Sequence, residues 1–167
     1  FLVECDAATW EAYGFEHKTI EQSQAICEEI FAGTLDGHPL VSNKSVWRNF
    51  PWIWNENWSH GNMVLIGDAL HSAHFSIGSG TRLAIEDAIA LTKALEAESE
   101  IPAALARYQA ERKPIVQKLV TAARTSADWY EHFPEHMKLD LMDFAYSYIT
   151  RSGRIDDARL RAMSPAF

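Results

Sequence analysis

Apolar residues are grouped along this chain in two ways, as short dense runs in the first half and as helically spaced positions in the second. The dense runs are typical of strands and fall at residues 1–5, 45–54 and 63–66. Apolar positions three and four residues apart predict helices. These helices span residues 20–31, 80–95, 101 onward, 135–149 and 156–163. The order predicts an α+β fold in which a few strands precede a helix-rich C-terminal half.

Local signals refine several of these elements. Thr19 is a typical N-cap residue for the helix that follows it, and Gly33 is a plausible stop. Pro114 is expected to kink or divide the helix that begins at residue 101. The run at residues 63–66 is uniformly apolar, which predicts a strand covered on both faces.

Composition narrows the class of function. The 167 residues carry a formal net charge of −8, which argues against nucleic-acid binding because that requires a basic surface. The two cysteines, Cys5 and Cys27, show neither metal-ligand nor disulfide spacing, which favours a reducing cytoplasm. No apolar run reaches the roughly 18 residues of a membrane span, so no membrane partner is predicted.

The segment 63–88 carries the candidate chemistry. An apolar strand ends in Gly67-Asp68, and after a loop the turn Gly78-Ser79-Gly80 opens a long helix. A carboxylate at the end of a strand can accept hydrogen bonds from sugar hydroxyls. A helix that opens on glycines presents free N–H groups to an anion or a polarised carbonyl. The segment therefore predicts two of the groups that hold a nucleotide cofactor.

This segment resembles the second flavin-binding motif of the FAD-dependent aromatic hydroxylases, the group that includes p-hydroxybenzoate hydroxylase. The match lies in residues 67–71, 78–80 and 84–88. It implies a partial FAD/NAD(P)-binding monooxygenase fold, with Asp68 on the ribityl chain of FAD and the glycine turn beside the flavin ring. The cofactor-binding residues implied by the resemblance are Gly67, Asp68, Gly78, Ser79, Gly80, Thr81 and Arg82.

One departure from the family pattern indicates a branch. Phe75 stands where most members have proline, and residues 74–81 look more like the salicylyl-CoA 5-hydroxylase and anthraniloyl-CoA monooxygenase branch. The resemblance implies hydroxylation of an aromatic substrate, such as an aryl-CoA thioester, with NAD(P)H and O2 through a flavin C4a-hydroperoxide. His74 and Phe75 are expected to border that substrate, and no catalytic acid or base is assigned.

The resemblance also implies that the chain is the C-terminal part of a larger flavoprotein. No Gly-x-Gly-x-x-Gly follows a strand here, so that fingerprint is expected upstream of Phe1. Residues 1–62 are expected to be a remnant of the substrate-domain sheet with a helix and a Trp-rich strand. Residues 63–167 are expected to hold the Gly-Asp strand and the C-terminal helices of the FAD-binding module. An isolated non-catalytic domain, a tryptophan-pathway hydroxylase and a flavin halogenase remain alternatives.

Several polar and aromatic residues also have ordinary structural interpretations. Glu86 and Asp87 are expected on the helix surface or as dipole partners near its N-terminus. His71 and His74 lack a third ligand at suitable spacing, so no metal site is predicted. An aromatic cluster is expected either in the core and at a sheet edge or as a wall of the substrate pocket. It comprises Trp47, Phe50, Trp52, Trp54 and Trp58.

Overall fold

The computed structural model describes residues 1–166, which form two compact units. The first unit is Phe1–Asn49 and the second begins at Phe50. The division between residues 62 and 63 expected from the sequence stays a prediction.

The first unit is built from short α-helices, of which the first two begin at side-chain caps. These are α1 at Ala7–Ala12, α2 at Ile20–Ile30 and α3 at Ala32–Leu35. The Thr19 hydroxyl accepts from the Gln22 backbone N–H at 3.2 Å, and the Gln22 side chain accepts from the Thr19 N–H at 2.9 Å. This reciprocal capping box satisfies two of the N–H groups that a helix start leaves without partners, and it confirms the predicted start of α2.

Two of the predicted strands are absent from the described residues. Residues 1–5 and 45–50 have no regular structure, so the strand predictions there were wrong. Residues 51–55 instead run beside residues 69–72, with Ser72 N donating to Ile53 O at 2.9 Å and Asn55 N donating to Leu70 O at 3.1 Å. This pairing is too irregular to form a ladder, and only an isolated bridge joins Trp54 to His71.

A single hairpin forms the sheet of the described chain. Strand β1 at Ser59–His60 pairs antiparallel with β2 at Met63–Val64. Met63 is 65% exposed and Ile66 is 40% exposed. The expectation of a strand covered on both faces was therefore wrong, because a hairpin of two short strands covers little of its own apolar surface.

Helices make up most of the second unit, as the predicted helix-rich half requires. They are α4 at Gly80–Ala97, α5 at Ile101–Glu131, α6 at Phe133–His136, α7 at Leu141–Thr150 and α8 at Asp157–Met163. Helix α5 continues through Pro114, so the predicted division did not occur. Pro114 is exposed, which lets its ring point away from the packed face of the helix.

The core of the second unit lies where α4 and α5 pack together and against the segment that follows the hairpin. The fully buried side chains at its centre include Trp58, Leu70, Leu83, Tyr108 and Val116. Trp58 and Tyr108 pack with ring centroids 5.3 Å apart. No helix of the described residues is long and apolar enough to cross a membrane.

Candidate functional site

The Gly67-Asp68 pair lies in a 3-10 turn at Gly67–Ala69 that packs against α4. Gly67 has φ +58°, in the left-handed region that favours glycine. A Cβ atom at this position would lie 3.2 Å from the Ala84 Cβ on α4. Glycine is therefore required twice, for the backbone conformation and for the close approach of the turn to the helix.

Asp68 is exposed and has no hydrogen bond or ion pair with the described residues, so it does not cap the turn. The next peptide groups fix the turn around it, because Leu70 N and His71 N donate to Gly67 O at 2.9 and 3.0 Å. The Asp68 carboxylate is thus held on an ordered turn with its oxygens available to an external donor.

The N-terminus of α4 is likewise left without an internal partner. Ser79 is the N-cap residue, but its hydroxyl donates to Ile77 O at 3.1 Å and does not accept from the helix. The first turn of α4 contains no acidic residue. The backbone N–H groups of Gly80, Thr81 and Arg82 are therefore free of side-chain caps, and a helix start concentrates such donors at one point.

The turn that leads into α4 leaves open space beside it. Gly78 has φ +61°, and a Cβ built on Gly78 or on Gly80 would meet no atom within 4 Å. A flat ligand could therefore approach this backbone closely. The turn runs directly into the uncapped N–H groups at the start of α4, whereas the Gly78 N–H itself donates to Phe75 O at 2.8 Å.

A buried carboxylate, that of Asp87, connects the Gly67-Asp68 turn to α4. Asp87, on α4, is 0% exposed. Its Oδ2 accepts from Gly67 N at 3.1 Å and lies 2.8 Å from His71 Nε2. Its Oδ1 accepts from Arg112 Nε, on α5, at 2.8 Å. Asp87 thus ties α4 to α5 and to the backbone N–H of Gly67, the residue directly before Asp68.

The Asp87 carboxyl is held ionised. Burial disfavours the charged form, but the hydrogen bonds from His71, Arg112 and Gly67 outweigh it and lower the pKa of Asp87 from the ordinary 3.8. Because an ionised carboxylate only accepts hydrogen bonds, His71 Nε2 carries the hydrogen and donates it.

Arg112 extends this network to the surface. Its Nη2 donates to Leu83 O at 3.2 Å and lies 2.9 Å from Glu86 Oε2. Glu86 Oε1 in turn accepts from Arg82 Nε at 2.7 Å. The buried charge is therefore compensated by a chain of contacts that reaches the first turn of α4.

The structure corrects the expected position of Asp87 and agrees with that of Glu86, which is partly exposed. Asp87 faces the core because it lies four residues after Leu83 and seven before Ala94, which are both buried. That spacing is the sequence signal for its burial, whereas the burial of its partner Arg112 is seen only in the structure.

The aromatic residues near the turn form a surface patch around His74. The His74 ring is buried and lies 4.3 Å from the Phe75 ring, 5.3 Å from Phe50 and 6.3 Å from Trp52, measured between centroids. Phe50, Trp52 and Phe75 are 43–45% exposed. The guanidinium of Arg124 lies 5.9 Å from the centre of the Trp52 ring. Two members of this aromatic patch, His74 and Phe75, lie four and three residues before Gly78 in sequence.

The other predicted aromatic residues have different surroundings. Trp58 is fully buried in the core, and Trp54 is partly buried beside it with ring centroids 6.5 Å apart. Trp47 belongs to the first unit, where it packs on Phe15 at 4.5 Å. The expected cluster is thus divided between core packing and the exposed patch.

Comparison with known proteins identifies a family. Residues 6–123 match the protein family described as FAD binding domain. The chain is also similar to a solved structure, pqsL, a probable FAD-dependent monooxygenase from Pseudomonas aeruginosa. The similarity has a TM-score of 0.55 and 28% identity, and covers 85% of this chain and 39% of that one.

Several curated proteins resemble the chain over nearly its whole length. It is 40% identical to a salicyloyl-CoA 5-hydroxylase of a Streptomyces species, over 91% of this chain and 32% of that protein. It is 43% identical to a 3-hydroxy-4-methyl-anthranilyl-(aryl-carrier protein) 5-monooxygenase of Streptosporangium sibiricum, over 93% of this chain and 40% of that protein. It is 37% identical to the protodeoxyviolaceinate monooxygenase of Chromobacterium violaceum, over 99% of this chain and 42% of that protein. The chain therefore spans between 32% and 42% of the length of these relatives.

Proposed function

We propose that this chain, which belongs to the FAD binding domain family, supplies the second flavin-contact segment of an FAD-dependent aromatic monooxygenase. The observation that carries the proposal is the occurrence of a free carboxylate, Asp68, on a turn that packs against α4, the helix whose start is uncapped. These are the acceptor and the donors that a flavin with its ribityl hydroxyls and ring carbonyls requires.

The residues fit FAD by the chemistry of their exposed atoms. Asp68 accepts hydrogen bonds from ribityl hydroxyls. The N–H groups of Gly80, Thr81 and Arg82 stabilise negative charge on the pyrimidine edge of the flavin, since the positive end of the α4 dipole lies there. Gly67, Gly78 and Ser79 shape the backbone that approaches the ring. When bound, FAD supplies the redox chemistry with NAD(P)H and O2, and the protein supplies position and charge.

The aromatic patch supports an aromatic substrate. Phe50, Trp52 and Phe75 present ring faces and edges around His74, and such surfaces stack well with planar ligands. His74 and Phe75 lie within the four residues that precede Gly78, so a substrate held there would lie beside the flavin turn. The patch therefore supports a role for these two residues in substrate binding.

Aryl thioesters are the proposed substrate class. Two relatives are named for salicyloyl-CoA and for an anthranilyl group on an aryl-carrier protein, and they are 40% and 43% identical to this chain. A tryptophan-derived substrate is the second candidate, because the match to protodeoxyviolaceinate monooxygenase covers 99% of the chain. Cys5 and Cys27 are not joined by a disulfide bond in the described part of the chain, which supports a reducing, cytoplasmic setting.

The cofactor is tested with the full-length protein that contains this chain. The purified wild type is expected to show the visible absorption of bound flavin. Asp68→Ala is expected to weaken FAD binding about tenfold or more, because a hydrogen bond to a charged group is lost. The same substitution at Asp128 is the matched control, because this exposed residue of α5 has no side-chain hydrogen bond with residues 1–166. A wild type without flavin, or equal FAD affinity in the two variants, would refute the proposal.

The substrate class is tested by NAD(P)H oxidation in the flavin-loaded protein. Salicyloyl-CoA is expected to stimulate oxidation and yield a hydroxylated product, and free salicylate is expected to do neither. Phe75→Ala should raise KM for the thioester while leaving the FAD dissociation constant unchanged. Stimulation by free salicylate alone would contradict the thioester assignment.

A further inference from the structure

We propose that Asp87 is the positioning residue that holds the Gly67-Asp68 turn in register with the flavin-facing start of α4. This inference rests on the proposed function, and it assigns to a buried residue a part in FAD affinity. Asp87 does not itself face the exposed surface, so it acts through the Gly67 peptide group.

The geometry links both proposed flavin contacts to one helix. The N–H donors at residues 80–82 and the Asp87 carboxylate all belong to α4, and Asp87 follows Gly80 by seven residues, which is about two helical turns. Asp87 Oδ2 binds the Gly67 N–H at 3.1 Å, directly before Asp68. A shift of the turn along α4 would therefore break this bond.

The hydrogen bonds around Asp87 require a carboxylate at this position. Three donors converge on Asp87, namely Gly67 N, His71 Nε2 and Arg112 Nε. An ionised carboxylate offers acceptor sites on both oxygens, whereas an asparagine amide offers one oxygen and directs an NH2 group at a donor. Asp87→Asn keeps the size of the side chain but leaves at least one buried donor without a partner.

The remaining groups around Asp87 orient the carboxylate. Arg112 binds Oδ1 and also donates to Leu83 O one turn earlier on α4, which fixes the carboxylate plane between the two helices. His71 binds Oδ2 from the residue that closes the Gly67 turn. Gly67 is thus bound at its N–H by Asp87 and at its carbonyl by the N–H groups of Leu70 and His71.

The test compares FAD binding with global stability in the full-length protein. Asp87→Asn is expected to raise the FAD dissociation constant roughly tenfold, as expected when one charge-assisted hydrogen bond to the ligand is misdirected. Val116→Ala, a fully buried substitution on α5 outside the network, is the control for general destabilisation. It should lower the free energy of unfolding and leave FAD affinity within about twofold of wild type. Equal loss of FAD affinity in both variants, or no loss in Asp87→Asn, would overturn the inference.

If Asp87→Asn does not fold, a pair of His71 variants tests the inference instead. His71→Phe keeps an aromatic ring but removes the donor to Asp87, and His71→Gln retains an N–H donor. FAD should bind more weakly to His71→Phe than to His71→Gln, and wild-type affinity in both would overturn the inference.

Failure of this inference is distinguishable from failure of the proposed function. If the wild type binds FAD and Asp68→Ala weakens binding while the Asp87 and His71 variants do not, only the positioning role fails. If neither the wild type nor any variant binds FAD, the proposed function fails and the positioning role with it.

Discussion

Substituting Gly67 by alanine tests how the Gly-Asp turn is fitted against α4. Alanine in the left-handed region costs about 1–2 kcal/mol. The added methyl group would lie 3.2 Å from the Ala84 Cβ, which is tighter than ordinary van der Waals contact, and such overpacking costs about 1–3 kcal/mol. Alanine also restricts the unfolded chain more than glycine does, which offsets about 0.4–1 kcal/mol of this loss. The expected net loss is about 3 kcal/mol of the free energy of unfolding.

Gly61 provides a matched control in the same unit. It lies in the β1–β2 turn with φ +59°, nearly the same as Gly67, but a Cβ there would meet no atom within 4 Å. Gly61→Ala therefore carries only the conformational cost, and its expected loss is about 1 kcal/mol. The difference of about 2 kcal/mol between the two variants measures the contact with α4.

Urea unfolding followed by tryptophan fluorescence is a suitable assay, because Trp58 and Trp129 are buried in this unit and their emission shifts on exposure. Equal losses for Gly67→Ala and Gly61→Ala would refute the close approach of the turn to α4. An unchanged free energy of unfolding in Gly67→Ala would refute the left-handed conformation of Gly67 as well.

Three further predictions concern stability. The depressed pKa of Asp87 means that its stabilising effect is present above the unfolded pKa of 3.8 and is lost as the pH falls through the lower folded pKa. Denaturation over a pH series should therefore show the cost of Asp87→Asn largest near neutrality and shrinking below pH 3.8, and a constant cost would contradict this. Leu70→Ala, at a fully buried position, should cost about 2–5 kcal/mol in urea unfolding, against about 0.5 kcal/mol for the exposed Met63→Ala. Thr19→Ala should cost about 1 kcal/mol of the stability of the first unit, measured as faster amide exchange near Gln22. Unchanged exchange would argue against the capping box.

The sequence predicted best the features that depend on neighbouring residues. The Thr19 cap and the last helix after Asp156 depend on side chains that bond to backbone groups within three positions. Such bonds form within a single turn of chain, so local pattern is sufficient to predict them. The opening of α4 at Gly80 has no side-chain cap and was predicted from the glycine turn that precedes it.

The strand predictions failed where pairing partners decide the outcome. The apolar and aromatic residues at positions 1–5 and 45–50 are typical of strands, yet a strand exists only through hydrogen bonds to another segment. At residues 63–66 the hairpin partner is only two residues long. Local pattern carries no information on where such partners lie.

In the candidate site, too, features set by neighbouring residues were predicted and a feature set by distant partners was not. The exposed groups, Asp68 and the start of α4, were predicted from motif spacing and the family resemblance, and their flavin contacts stay predictions. Asp87 was expected on the helix surface or as a dipole partner near the helix N-terminus. Its burial depends on His71 and Arg112, which lie 16 and 25 residues away in the chain.

The most direct test of flavin contact is hydrogen–deuterium exchange of the full-length protein with and without FAD. Amide exchange is expected to slow in peptides that cover residues 67–70 and 78–82, because the ligand binds those backbone and carboxylate groups. Peptides from α7, Leu141–Thr150, serve as the internal reference and should not change. Saturating FAD that slows exchange elsewhere and leaves residues 67–82 unchanged would contradict the assignment of this segment to the flavin.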